Sequence, residues 1–440
     1  MSALNPRSLL IIADDLSGAA DCAIAFAGAG RRTIVTLDAS SALKAGADAN
    51  PIDVIAADTD TRRLAPQVAA RRTADAFSTL NAPGRRLYKK IDSTLRGNWA
   101  AEVAALQPRA GLAIVAPAFP ATGRTTHRAR VLVRGEPLES TDTWKLENAD
   151  RPANVQTMLE DAGLRCDSIN VDTLRGDADV LRNRIRATTK ERVEALIVDA
   201  HTSDDLKRLA EITSQLDHEL FWVGSGGLAR ELAALPALFS NPPNRPLVHE
   251  KQDGAILVLV GSLSSVSERQ CAMLRERAGV AELIVPPAIL RAGDAHHDWR
   301  EWQRKIGDFL VKRIDLLVRI GRDDAFDPAE GAHLSNALAA LVAPHFGHVG
   351  GLIATGGETA RAMLSATGIG SLDLLAEVEA GVAVARPSAP LPSRPAIVTK
   401  AGAFGSEHAL FGAWEHLRRL PSSATKTATA TATIPATNTH

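Results

Sequence analysis

The chain has 440 residues, 45% of them apolar and 4% aromatic, and its 50 basic and 51 acidic side chains leave a net charge of −1. That balance excludes a nucleic-acid or membrane-surface protein held by bulk electrostatics, and the single Tyr removes stacking platforms for single strands. Cys22, Cys166 and Cys271 lie far apart with no metal-type spacing, so neither a disulfide framework nor a zinc site is expected.

The dominant pattern is a short apolar run, a turn of Gly, Asp or Ser, and a helical stretch. It begins at residues 9–12, turns through Asp14-Asp15-Leu16-Ser17-Gly18 and continues as a helix over 19–26. It recurs at 53–57, 86–90, 112–115, 195–198 and 220–223. Continuous apolar runs alternating with helices predict a parallel sheet covered on both faces. Residues 130–139, turning at Arg134-Gly135, read as a small antiparallel hairpin annex. Pro236, Pro242, Pro243 and Pro246 make residues 236–253 the linker candidate. The pattern restarts at 255–260, 282–285, 315–320, 352–354 and 396–399. The expected fold class is α/β: two domains, 1–235 and 254–418, with largely parallel, doubly wound sheets and a cleft between them. The Thr/Ala-rich stretch 419–440 is expected to be a disordered tail. No signal-peptide pattern and no apolar run of membrane-spanning length is seen, so a cytoplasmic location without membrane partners is expected.

Ligands of open α/β sheets sit beyond the carboxyl ends of the strands. In the second half those positions are Gly-rich: Gly261-Ser262-Leu263-Ser264, Gly356-Gly357-Glu358-Thr359 and Gly402-Ala403-Phe404-Gly405. Any one of them is what a tight strand-to-helix turn needs for geometry alone. Three in one domain shift the balance toward a polyphosphate cradle at helix N-termini. There is no Gly-Lys dipeptide, hence no P-loop, and no protein-kinase signature.

In the first half the strand ends are charged: Asp14 and Asp15; Asp58, Asp60 and Arg62; Lys89, Lys90, Asp92, Ser93, Thr94, Arg96 and Asn98; Thr122 to Thr125; and Asp199. Mixed carboxylates and cations at one sheet edge suit a ligand with a negative end and several hydroxyls. The alternative is a solvated set of neutralising ion pairs, preferred here for Asp58 and Lys89. A ligand role is preferred for Asp14, Arg62, Lys90, Asp92 and Arg96. Gly224-Ser225-Gly226-Gly227-Leu228-Ala229 fits the dinucleotide fingerprint, but the Pro-rich stretch stands where its acidic second strand belongs, so it reads as a tight turn. An NAD(P)-dependent hydroxy-acid oxidoreductase is the rival reading that rests on it.

Several strings occur together in order: 12–19 around Asp14-Asp15, 90–98 around Lys90 and Asp92, 117–125 ending in Gly123-Arg124-Thr125, 224–228, and the three Gly-rich turns with Lys400 before the last. This set, spanning 8–412, resembles the four-carbon acid sugar kinase family, long carried as a domain of unknown function. The resemblance implies an N-terminal sugar-acid-binding domain and a C-terminal nucleotide-binding domain. It implies ATP with Mg²⁺ as phosphoryl donor and the 4-hydroxyl of D-threonate as acceptor, with D-erythronate and 3-oxo-tetronate as alternatives. By position it puts ATP contacts on Ser262, Ser264, Gly356, Gly357, Glu358, Thr359 and Gly402. Acid-sugar contacts fall among Asp14, Asp15, Arg62, Lys90, Asp92 and Arg96. Lys90 or Arg62 would clamp the substrate carboxylate, Asp14 or Asp92 would take the hydroxyl proton, and metal ligands are unassigned. Asp150-Arg151-Pro152-Ala153-Asn154 departs from an Asp-Pro-x-x-Pro stretch that the family tends to carry. A non-catalytic sugar-acid-binding protein is a further alternative, and a homodimer is the commonest assembly.

Overall fold

A computed structural model describes residues 8–45, 51–141, 144–145, 152–216, 219–239, 242–243, 252–325, 327, 330–389, 394–402 and 404–421. The expected tail beyond 421, most of the linker candidate, Asp150, Arg151 and Ala403 lie outside the described residues. The chain divides into two units, 1–245 with 370–374, and 246–369 with 375–440.

The first unit is built on β1 (Ser8–Ala13), β2 (Thr33–Thr36), β3 (Val54–Asp58), β4 (Arg85–Lys90), β5 (Leu112–Ala116), β9 (Cys166–Ile169), β10 (Ala195–Val198) and β11 (Leu220–Gly224). Their order is β2-β3-β1-β4-β11-β5-β10-β9, and every pair is parallel. Leu9, Leu10, Ile11 and Ile12 of β1 are all buried, as a strand covered on both faces requires. From β1 the chain runs to β2 and β3 on one side and to β4 and onward on the other. The ends of β1 and β4 therefore border a topological switch point, where such sheets bind ligands.

The expected hairpin is a three-stranded meander of β6 (Arg124–His127), β7 (Arg130–Val133) and β8 (Glu136–Pro137). Its two-residue turns, Arg128-Ala129 and Arg134-Gly135, have positive φ at both positions, the geometry that matches strand twist. The Asp199 carboxylate at the end of β10 accepts the N–H groups of Arg128 (2.6 Å) and Ala129 (3.0 Å) and so pins the meander.

The second unit contains β12 (Ala255–Val260), β13 (Ala281–Val285), β14 (Leu316–Ile320), β15 (Val349–Thr355), β17 (Val382–Pro387) and β18 (Ala396–Lys400), in the order β13-β14-β12-β15-β18-β17. β17 runs antiparallel to β18, the other pairs being parallel. Strand β16 (Ser371–Glu379) starts among the residues grouped with the first unit, where Ser371 to Asp373 pair antiparallel with β2. Antiparallel pairing is thus more extensive than a single hairpin annex. No helix among the described residues is long and apolar enough to cross a membrane.

One carboxylate fastens the last helix of the second unit. Asp315 accepts hydrogen bonds from the Ile256 N–H (2.9 Å), Trp414 Nε1 (2.6 Å) and Arg418 Nη2 (2.7 Å). Asp315→Ala strands donors on three residues, one of them the Arg418 guanidinium. It should cost about 3 kcal/mol in chemical denaturation, and a loss below about 1 kcal/mol would contradict this role.

Candidate functional site

At the end of β1, Asp14 is buried and Asp15 caps the helix Leu16–Gly28 by accepting the Gly18 N–H (2.9 Å). Both carboxylates close on Arg62. Its Nε donates to Asp14 Oδ2 (2.8 Å), its Nη1 to Asp15 Oδ2 (2.8 Å), and its Nη2 to Asp14 Oδ1 (2.9 Å) and Asp15 Oδ1 (3.0 Å). Burial disfavours the Asp14 carboxylate, but Arg62, with Lys89 and Lys90 behind it, holds its pKa below the ordinary value. Burial also opposes the Arg62 charge, and Asp14, Asp15 and Asp92 outweigh it.

The loop carrying Arg62 is tied down from two sides. The Thr61 N–H donates to the Asp14 carbonyl (3.0 Å), and the Asn98 amide donates to the carbonyls of Leu64 (2.7 Å) and Thr61 (3.1 Å). Gly97, at φ +81°, lets the chain pass close to Asp14: a Cβ there would sit 2.8 Å from Asp14 Oδ2.

Beyond β4, Asp92 is gripped by Arg96 through Nε (2.7 Å) and Nη2 (3.2 Å) and also accepts the Thr94 hydroxyl. Burial pushes its pKa up, but the Arg96 and Arg62 charges and the Thr94 hydroxyl hold it well below the carboxylate range. Lys90 differs from these paired groups. Its ammonium is buried, donates to the Ile91 carbonyl (3.1 Å), and has no other hydrogen bond among the described residues. It sits beside Gly18, where a Cβ would lie 3.2 Å from Nζ. Two donors of a buried cation are thus open to an anion.

Asp14, Asp15, Arg62, Lys90, Asp92 and Arg96 therefore gather at one edge of the first unit. Arg62 departs from expectation: with its donors turned onto two carboxylates it is a cross-link, which leaves Lys90 as the open cation. Lys89 is no surface ion pair either. It forms a fully buried salt bridge with Glu102 (2.7 Å). Arg124 on β6 is among the charged strand-end residues but outside those for which a ligand role is preferred from sequence. Burial, together with Arg96 and Arg134, lowers its pKa, with Asp92 opposing, so it belongs to the same charged edge.

In the second unit the three Gly-rich turns form one assembly. Ser264 caps the helix Ser265–Ala278. Ser262 Oγ donates to Ser264 Oγ (3.1 Å), Ser264 Oγ to Ser267 Oγ (3.1 Å), and Ser267 Oγ to the Gly402 carbonyl (2.8 Å). A Cβ on Gly402 would lie 2.7 Å from Ser262 Oγ, and one on Gly261 would lie 2.0 Å from Thr359 Oγ1. The Thr359 hydroxyl is buried and meets Ser335 Oγ (3.2 Å), so that side chain holds the Gly261 turn. The Gly356 N–H is taken by the Lys400 carbonyl (2.8 Å). Gly357, Glu358 and Thr359 form the first turn of the helix Gly357–Ala366, whose leading N–H groups suit a phosphate.

The Gly224–Ala229 turn is filled by protein. Cβ atoms on Gly226 and Gly227 would meet Asp21 Oδ2 (2.8 Å) and the Ala118 carbonyl (2.5 Å), while Ser225 Oγ donates to that carbonyl (2.9 Å). Its glycines serve packing against residues 118–119, which removes the ground for a dinucleotide site.

The depressed pKa of Asp92 sets a pH signature. A carboxylate with a folded pKa below its unfolded value stabilises above the unfolded value and loses that contribution as pH falls through the folded one. Asp92→Asn should cost about 2 kcal/mol at pH 7, and the gap to the parent should narrow in urea unfolding near pH 3. A gap that does not narrow would mean that ionised Asp92 does not contribute.

Residues 9–232 match the family model of a sugar-binding N-terminal domain, and residues 257–410 that of a nucleotide-binding C-terminal domain. A D-threonate kinase of Cupriavidus necator is 56% identical, covering 94% of this chain and 100% of that one. A D-threonate kinase of Bordetella bronchiseptica is 32% identical, with 93% and 97% covered. More distant relatives are named 3-oxo-tetronate kinase and D-erythronate kinase. A crystal structure from Salmonella typhimurium LT2 has a TM-score of 0.74 at 21% identity, covering 93% of this chain and 99% of that one, which shows a shared fold. Matched in both domains and along nearly all of its length, the chain belongs to the four-carbon acid sugar kinase family.

Proposed function

We propose that the protein transfers the γ-phosphate of ATP to the 4-hydroxyl of D-threonate. The observation that carries this reading is the likeness, over nearly the whole chain, to a relative named for that substrate. The geometry supports it: one unit offers a buried, under-bonded ammonium among paired charges, the other a set of phosphate-sized turns.

Lys90 takes the acceptor's carboxylate, since its two open donors otherwise leave a buried cation undersatisfied. Asp14, Asp15 and Arg62 form a fixed wall beside it, and the negative charge that the two carboxylates leave over one guanidinium faces the Lys90 ammonium. Asp92 is the better proton acceptor of the two candidates. Both sit in an arginine fork, Asp14 in that of Arg62 and Asp92 in that of Arg96, but the bond on Asp92 Oδ1 is the longer, 3.2 Å against 2.8 and 2.9 Å on the Asp14 oxygens. Its low basicity is tolerable because phosphoryl transfer passes through a loose transition state and asks little of a base. The C4 oxygen bonds to the γ-phosphorus as the bond to the β,γ-bridging oxygen breaks. The hydroxyl proton passes to Asp92, and ADP leaves. Ser262, Ser264 and the leading N–H groups of the helices Ser265–Ala278 and Gly357–Ala366 hold the nucleotide phosphates.

Among the described residues the group placed to hold a metal ion is His296, His297 and Asp298, whose imidazoles do not suit Mg²⁺. Mg²⁺ fits this protein as an ion carried on the ATP phosphates, where it neutralises their charge.

A coupled ADP-release assay tests the function: turnover should require D-threonate and be weaker with D-erythronate or 3-oxo-tetronate. Absence of turnover on any four-carbon acid would overturn it. Lys90→Met should raise KM for D-threonate roughly 10- to 100-fold and leave KM for ATP unchanged; an unchanged KM for D-threonate removes Lys90 from the clamp. Asp92→Asn should lower kcat by roughly 100-fold or more, and a near-parental kcat would reject it as the proton acceptor.

A further inference from the structure

Lys400 ends β18 and is 1% exposed, yet no acid forms a salt bridge with it among the described residues. Its ammonium donates instead to three carbonyls of the turn that follows: Ala401 (2.8 Å), Gly402 (3.0 Å) and Phe404 (2.8 Å). Two neighbours reinforce this arrangement, Ser267 Oγ on the Gly402 carbonyl (2.8 Å) and Gln270 Nε2 on the Phe404 carbonyl (3.1 Å).

In a trans peptide the C=O and the following N–H point opposite ways, and no cis bond occurs among the described residues. Drawing the Ala401 and Phe404 carbonyls toward Lys400 therefore turns the Gly402 and Gly405 N–H groups away from it. Neither of those N–H groups has a hydrogen-bond partner among the described residues. The result is two backbone donors turned away from the lysine, a kind of group that binds anions. The Lys400 carbonyl meanwhile takes the Gly356 N–H (2.8 Å), which joins this turn to the next.

We propose that Lys400 is the positioning residue of the nucleotide half: it never touches ATP, and it holds the carbonyls of Ala401, Gly402 and Phe404 toward itself so that the Gly402 and Gly405 N–H groups face the phosphates. The inference rests on the kinase reading. Carbonyl partners fix the ammonium without a carboxylate bonded to it, and the acid that borders the turn, Glu379, is occupied by the Ser406 N–H (2.7 Å) and hydroxyl (2.7 Å). Their cost is visible, because burial lowers the Lys400 pKa to about 8, with Cys271 and Glu379 the titratable groups that face it and oppose the shift. The Cys271 thiol is itself pushed up to about 11 by burial.

The test is calorimetric titration of the full chain with ADP, no sugar acid present. Lys400→Met should weaken ADP binding roughly tenfold or more. KM for D-threonate should stay within about twofold. Lys400→Gln, which keeps a donor, should lie between. A folded Lys400→Met chain that binds ADP like the parent overturns the proposal. If that variant does not fold, the parent decides: Kd for ADP should rise between pH 7.5 and 9.5 as the ammonium is lost, and a flat profile overturns the proposal. A parent chain that fails to bind ADP at all overturns the nucleotide reading, and this inference with it.

Discussion

The first unit depends on one cross-link, the Arg62 guanidinium held between the carboxylates of Asp14 and Asp15. Removing Arg62 leaves the buried Asp14 carboxylate without its partner, the costly way to break an ion pair. The same cross-link positions everything around it. Asp15 also caps the helix Leu16–Gly28, Gly97 is glycine because Asp14 lies where a Cβ would be, and the Asn98 amide holds the Arg62 loop in register. Two carboxylates on one guanidinium leave a negative charge that Lys90 offsets, and its ammonium, with one hydrogen bond among the described residues, keeps donors for an anion.

The two units solve opposite electrostatic problems. The first must recognise a small acid with hydroxyls, and it uses ionised side chains whose pairings fix their geometry before a ligand arrives. In the proposed reading the second accepts a polyanion, and it presents Ser hydroxyls and helix N-termini, with no carboxylate salt-bridged to its buried lysine among the described residues. Where it needs a cation, at Lys400, the charge faces backbone carbonyls and works through the peptide dipoles. Preorganised dipoles of this kind need no rearrangement as phosphate charge shifts.

Much of this was legible in the sequence. The apolar runs at 9–12, 112–115, 195–198 and 255–260 are strands because fully covered strands have no polar face to blur the pattern. The strand-end residues Asp14, Lys90, Asp92 and Arg96 stand out in the sequence because open α/β sheets put ligands there, and they share one edge of the first unit. Strands β16 and β17 were not legible: Ser371–Glu379 mixes acids with its apolar residues, and small side chains dominate 380–386. Nor could spacing show that Arg62 turns back onto its own carboxylates, or that Thr359 packs under Gly261, since both depend on contacts between residues far apart in the chain. The glycines of 224–227 misled for a related reason: close approach of a backbone and close approach of a ligand leave the same mark in sequence.

The central claim, a phosphoryl group placed on the terminal hydroxyl of a four-carbon acid, is tested most directly by phosphorus NMR of the product. With ATP and D-threonate together, the account predicts one new phosphomonoester signal whose phosphorus couples to the methylene protons of C4. A signal coupled instead to a C2 or C3 methine proton, or no organic phosphate beyond ATP and ADP, would contradict it.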